Sequence, residues 1–328
     1  MTKNRREQLT LTFLRYTTPI MFVLIFLFFG VQSPRFLEIE NISNIIKQAS
    51  FIGIVAVGMT FVLLTAGIDI SVGSSMYLAP LIAGLLMRNQ GFDVLPALAV
   101  ALLAGGVMGL MNGFFVVQLK ISPFLVTLAT LFFFRGAGTF LTSSRSLDFP
   151  RDLIDFGLIN VVGIPLPIIV FLSLTLLAHL VLTRTAYGRQ IYAIGHDIEA
   201  AKKAGIKTQR IIMSVYVISG VCAALGGFIL ISQIGRLDQS FGEEAEFQVI
   251  AAAVLGGASL FGGVGTAFGP LIGATLVQMV QAGLVFTNVN LYLQPMVEGT
   301  IIFLAVFFDS LRTSNIKRLK RRFIRAEA

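Results

Sequence analysis

Runs of about twenty residues nearly free of charge recur along this chain, separated by short polar connections, and that recurrence sets the solvent in which it folds. A hydrocarbon layer about 30 Å thick takes roughly 20 apolar residues of helix to cross. Ten helical passes are expected, near residues 16–32, 45–66, 71–87, 94–118, 122–142, 163–183, 211–234, 247–263, 267–287 and 291–309. Composition agrees: of 328 residues, 55% are hydrophobic and only 13% charged, with a mean hydropathy of +0.85, beyond what a soluble chain carries at its surface. The expected fold class is all-α, a polytopic transmembrane helical bundle of about ten helices forming one domain over residues 1–328. The first apolar segment follows Lys3, Arg5, Arg6 and Arg15 as a signal peptide would. No small-residue cleavage site succeeds it, and Pro34 and charged residues come next, so it reads as an uncleaved span.

Formal net charge is +8, and its distribution carries the information. Eighteen of the 25 Lys and Arg fall on one side of the ten-pass arrangement: the head, Lys120, the 184–210 connection and the basic tail 311–328. The positive-inside rule makes that side, and both termini, cytoplasmic. The opposite connections carry Asp148, Asp152, Asp155, Asp238, Glu243, Glu244 and Glu246. Nothing in this pattern points to nucleic acid.

An internal repeat is expected. A gapless shift of 190 residues sets 65–86 over 255–276, with Gly67, Gly73, Pro80, Leu81, Ile82 and Leu86 on Gly257, Gly263, Pro270, Leu271, Ile272 and Leu276. The two segments lie six passes apart and so point the same way; duplicated helical units of this kind commonly flank a transport path. Both are rich in glycine where the chain turns, and broken helices occur in membranes where a cavity or a helix interface satisfies the freed backbone. Asp69 sits in the first break with Ser71, Gly73, Ser74 and Ser75. An ionisable residue there is a functional candidate, though the favoured reading is a cap or structural pin for the helix that follows. Polar residues available to line a path are Asn112, Gln278, Gln281 and Gln294, with Glu298 opposite Asn112 in the continued repeat. Arg135, in the apolar run LFFFRGAG, needs a partner: outer-loop aspartates or backbone carbonyls are the expected ones.

The stretch YAIGHDIEAAKKAGI at 192–206 interrupts this pattern with four charges and a histidine. Ile194, Ile198, Ala201 and Gly205 follow helical spacing, so a short helix on the cytoplasmic face, about 190–208, is expected. It would either rest on lipid headgroups or meet a partner. No G-x-x-x-x-G-K-[ST] occurs, so no phosphate-cradling loop of that kind is present. The serines of the first break have no neighbouring histidine to act as base, and Cys222 has no cysteine to pair with; His179 and His196 are too far apart in the topology to share a metal. No catalytic, cofactor-binding or metal site is expected.

Three motifs together, TAGIDISVGS at 65–74, the 192–206 stretch and AAAVLGGASLFGGVG at 251–265, resemble the permease subunits of bacterial ribose-type sugar ABC importers. The resemblance covers nearly the whole chain, and LAVFFD at 304–309 also fits. It implies translocation of a monosaccharide or related small polar solute across the cytoplasmic membrane. It also implies a second permease copy or paralogue, two cytoplasmic ATPase subunits holding ATP and Mg, and an extracytoplasmic solute-binding protein. The 192–206 stretch would be the coupling helix, with Tyr192, Gly195, Asp197, Glu199, Ala200, Ala201, Gly205 and Ile206 meeting the ATPase. His196-Asp197 departs from the small or polar pair usual there. The translocation path or helix breaks would involve Asp69, Ser71, Gly73, Ser74, Asn112, Gly257, Gly263, Gln278, Gln294 and Glu298. The alternative is an ion-coupled secondary transporter that uses Asp69 and Glu298.

Overall fold

The computed structural model describes residues 20–287, 289–293, 295–297, 299–300, 303, 304 and 307. Helix α1 (Ile20–Gln32) leads through a 3-10 turn at Pro34–Leu37 into α2 (Ile39–Leu64), followed by α3 (Val72–Gln90), α4 (Val94–Val117) and α5 (Pro123–Thr142). A connection containing α6 (Arg151–Gly157) precedes α7 (Leu166–Arg184). Two short helices, α8 (Ala186–His196) and α9 (Ile198–Lys203), lead to α10 (Thr208–Ile234), and α11 (Ala245–Leu255) and α12 (Gly269–Phe286) follow. Six of these helices are long and apolar enough to cross a membrane. The tenth expected pass, Gln294 and Glu298 with it, lies largely outside the described residues.

Burial separates the helices into two populations. The apolar stretches of α2 and α10 are 83% and 67% buried, whereas those of α4, α5 and α7 are each 28% buried. The first two therefore form the core and the last three present apolar side chains outward. Small residues set the core spacing. A Cβ at Gly105 of α4 would overlap the Gly220 carbonyl of α10, and one at Gly109 would overlap the Tyr216 carbonyl. Backbones in direct contact are how helices gain dispersion energy when lipid removes the hydrophobic drive. Cys222 is buried in the same core, facing Gly58 of α2.

The connections at 65–71, 118–122 and 185–207 share one face, which carries Lys120 and the basic loop and is called the basic face below. On the opposite, acidic face, the 143–165 connection is not the plain loop expected. Strand β1 (Leu147–Asp148) pairs antiparallel with β4 (Arg236–Leu237), and β2 (Asn160–Val161) with β3 (Ile164–Pro165). Phe149 donates to the Gly235 carbonyl at 3.0 Å, which ties this connection to the end of α10.

Three sequence expectations change. The second pass begins at Ile39, not 45, because the turn before it is held by Asn41 Nδ2 donating to the Phe36 carbonyl at 2.7 Å. The expected pass 247–263 is helical only over 245–255, about 16 Å of rise; Gly257, Gly262, Gly263 and Gly265 then take positive φ, a region that side chains disfavour. The gapless repeat register also fails at the level of helix starts. A shift of 190 carries Val72 to 262, yet α12 starts at 269. The order helix, break, helix occurs twice, with a second break that is two turns longer.

Candidate functional site

The polar stretch on the basic face folds as two helices rather than one. Thr185 caps α8, its Oγ1 accepting from Gly188 N at 3.1 Å. Asp197 is extended (φ −160°, ψ 105°) and caps α9, its Oδ1 accepting from Glu199 N at 2.9 Å and Ala200 N at 3.0 Å. A residue that caps one helix must leave the preceding one, so Asp197 splits the expected helix. Past α9, Gly205 takes φ +80°, and two bonds close the end, Gly205 N to Lys202 O at 2.9 Å and Ile206 N to Ala201 O at 3.1 Å. That is the double closure a left-handed glycine permits. Ala201 is buried while Glu199 and Lys202 form an exposed 2.6 Å ion pair. Asp197→Ala is expected to cost about 1 kcal/mol and to fray α9, whereas Asp197→Ser retains most of the capping; the chemical shifts or amide exchange of residues 198–203 report the difference.

The last turn of α8 lies where the two helix breaks meet. Gly263 N, in the second break, donates to the Leu64 carbonyl at the end of α2 at 3.0 Å. Gly195 packs onto that same bond: a Cβ there would overlap both Leu64 O and Gly263 N. Gly262 (φ +85°) lies against Ala66, so the contact joins the repeats backbone to backbone. His196 faces Gly263, and Tyr192 Oη donates to the Gly265 carbonyl at 2.8 Å. Partial burial raises the Tyr192 phenol above its ordinary value, so it stays a donor at neutral pH. Gly257 (φ +94°) turns the chain just after α11, donating to the Val254 carbonyl at 2.8 Å.

Next to this junction, the first break folds back around Asp69. Its Oδ1 accepts from Ser71 Oγ at 2.6 Å and Ser71 N at 3.1 Å, and its Oδ2 accepts from Ser219 Oγ of α10 at 2.8 Å. Asn112 of α4 donates to Ser71 Oγ at 2.8 Å and lies 3.5 Å from Asp69; Thr130 of α5 donates to Asn112 Oδ1 at 2.8 Å. Tyr216 Oη donates to the Ile68 carbonyl at 3.2 Å. Four elements are thus tied at one buried carboxylate, whose desolvation is offset by hydroxyl and amide donors. Among the described residues no cationic side chain pairs with Asp69. Asp69 is not the helix cap: Ser71 holds that position, and Asp69 reaches the helix through Ser71 N. Ser74 donates to the Ser71 carbonyl at 2.8 Å. Gln278 contributes no hydrogen bond to this network and stands half-buried on α12.

A cleft of about 560 Å³ opens beside the node on the basic face, lined by Gly67, Lys120, Gly195, His196, Thr208 and Tyr216 among others. On the acidic side, Arg135 finds the expected backbone partners: Nη1 donates to the Gln239 carbonyl at 3.0 Å and the Phe241 carbonyl at 2.6 Å, and the guanidinium lies 5.0 Å from the Tyr77 ring centre. Ser219 and Thr130 escaped sequence reasoning. Thr127 and Thr130, one helical turn apart in an apolar helix, are the signal that could have found the second; an isolated serine in α10 gives no comparable one.

Over residues 41–306 the chain matches the family described as "Branched-chain amino acid transport system / permease component". It belongs to this permease family. The permease is 35% identical to the D-allose transport system permease protein AlsC of Escherichia coli, over 90% of this chain and 92% of that one. It is 36% identical to the ribose import permease protein RbsC of Bacillus subtilis, over 90% and 92%, and 36% identical to the fructose import permease protein FrcC of Rhizobium meliloti, over 88% and 83%. No solved structure matches the permease. Family and apolar helices together make it a multi-pass membrane protein of the kind the motifs implied.

Proposed function

We propose that this permease carries a monosaccharide inward across the cytoplasmic membrane, with its basic face and both termini in the cytoplasm. A pair of separate ATPase subunits holding ATP and Mg engages α8–α9, and an extracytoplasmic binding protein delivers the sugar to the acidic face. Two copies of the chain, or one with a paralogue, enclose the path. The names of the relatives, which are permeases for allose, ribose and fructose, support the sugar class. The observation that carries the mechanism is the seating of Gly195 on the Gly263–Leu64 bond. A displacement of α8 by a motor below the membrane reaches both breaks at once, with no intervening flexible side chain. The break at 65–71 in turn holds α4, α5 and α10 through Asp69, so one push reorients three helices around the cleft. Such gating steps set the rate of many transport and catalytic cycles.

The test is uptake of radiolabelled D-ribose, D-xylose, D-fructose and D-galactose by vesicles containing the permease with its ATPase and binding protein. Uptake of at least one sugar is expected, dependent on ATP on the α8–α9 side and unaffected by ionophores. Uptake that persists without ATP, collapses with ionophores and is abolished by Asp69→Asn sinks the reading in favour of ion coupling.

A further inference from the structure

We propose that Tyr77, Arg135 and Glu246 form a binding site for hydroxyl groups of the transported solute, on the acidic side of the Asp69 node. The proposal rests on the sugar-import reading above. Glu246 lies in the first turn of α11 and is only 8% exposed, while its neighbours Glu243 and Glu244 are exposed. Among the described residues its Oε2 has no hydrogen-bond partner, and neither has the Oη of Tyr77, which is 0% exposed. Buried polar atoms in native proteins are paired as a rule, so an exception asks for a use. Packing alone would be served by phenylalanine at position 77; the chain holds 29 Phe and only 6 Tyr, yet here it places a phenol in a dry position.

Three further features converge on the same place. Glu246 belongs to the second repeat and reaches α3 of the first because Gly73 has no side chain: a Cβ there would overlap Glu246 Oε2 and come within 2.5 Å of the Gly242 carbonyl, and Tyr77 lies one turn further along α3. Gly73 lies at the start of α3, four residues beyond Asp69, so Glu246 packs next to the node. Arg135 offers donors besides Nη1, since a guanidinium carries five N–H groups in a fixed fork and only Nη1 is engaged by the Gln239 and Phe241 carbonyls. The same two bonds hold the 238–244 connection over the site, and breaking them opens it to the acidic face. A carboxylate acceptor, a phenol that donates or accepts a hydrogen bond, and a fixed cationic donor suit adjacent hydroxyls of a neutral polyol. A few placed polar groups in an apolar wall are the usual makings of a small-molecule site. Anions would meet Glu243, Glu244 and Glu246.

The test uses the intact transporter in vesicles with ATP supplied. Uptake of the sugar carried by the wild type is compared with uptake of its singly deoxygenated analogues, in wild type, Tyr77→Phe and Glu246→Gln. Delivery by the binding protein affects all three alike, so the change in preference isolates the permease. Loss of a hydrogen bond to a charged or buried group narrows the preference for parent over one deoxy analogue by about tenfold in each variant. Parent and analogues falling by the same factor would mean a structural role and overturns the site, as does an unchanged preference. Should Tyr77→Phe fail to assemble with the ATPase, Glu246→Gln, nearly isosteric, decides alone. Wild-type uptake of L-leucine with none of the four sugars removes the sugar reading and this site with it; sugar uptake with unaltered variants removes the site only.

Discussion

Gly195→Ala is expected to abolish ATP-driven uptake, a loss of at least tenfold, while the protein still inserts in the membrane. The added methyl has nowhere to go: the atoms it meets are the Leu64 carbonyl and the Gly263 amide, both backbone and bonded to each other at 3.0 Å. A flexible side chain would swing aside, but here α8 must lift or the bond between the two repeats must break. Overpacking of this kind costs about 1–3 kcal/mol, and it falls on the element through which motion is delivered. Gly106→Ala is the matched control, because the atoms nearest a Cβ there are at 3.5 and 3.9 Å, ordinary contact distances. The two variants are compared by sugar uptake and by ATP hydrolysis in the same vesicles. Hydrolysis that continues without uptake in Gly195→Ala identifies uncoupling; full uptake there removes the junction from the mechanism.

Asp69→Ala carries the second large effect, and it is one of stability. The substitution strips acceptors from Ser71 N, Ser71 Oγ and Ser219 Oγ, all on buried residues. Bonds to a charged group contribute about 1.5–3 kcal/mol each, and stranded donors add their own cost. A loss of about 3–5 kcal/mol follows, on the order of a 10 °C fall in the unfolding midpoint for a chain of this size. Asp69→Asn keeps one oxygen for Ser71 and can donate to Ser219, so it retains roughly half of that. Ser219→Ala combined with Asp69→Ala should cost less than the sum of the two alone, since both remove the same bond. A detergent-purified Asp69→Ala protein as heat-resistant as the wild type contradicts the node's structural role.

Much of this architecture was legible in the residues. Apolar runs gave most of the long helices, and charge asymmetry the basic and acidic connections, because the bilayer imposes length and polarity on each segment independently of its neighbours. The capping of α9 by Asp197 and its closure at Gly205 are local too, although the spacing of Ile194, Ile198 and Ala201 suggested one continuous helix. Apolar periodicity does not register a single extended residue. The glycines of 251–265 marked a break, yet its length was hidden, since glycine permits a left-handed φ without requiring it. Arg135 announced its need for an outer-loop aspartate or backbone carbonyls, but the loop that supplied the carbonyls lay more than a hundred residues away.

The sequence by itself determined that the chain is a bundle of membrane helices, broken twice at glycine, with one charged handle on its basic side; each of these follows from the solvation of a segment or its own backbone freedom. Only the tertiary structure decided that the handle's Gly195 rests on the bond joining the breaks, that Ser219 and Thr130 complete the Asp69 node, and that Tyr77, Arg135 and Glu246 share one place. Those pairings depend on how closely backbones from distant segments approach, and that distance is set by small residues packed against one another across helices, a property of pairs that no single segment carries.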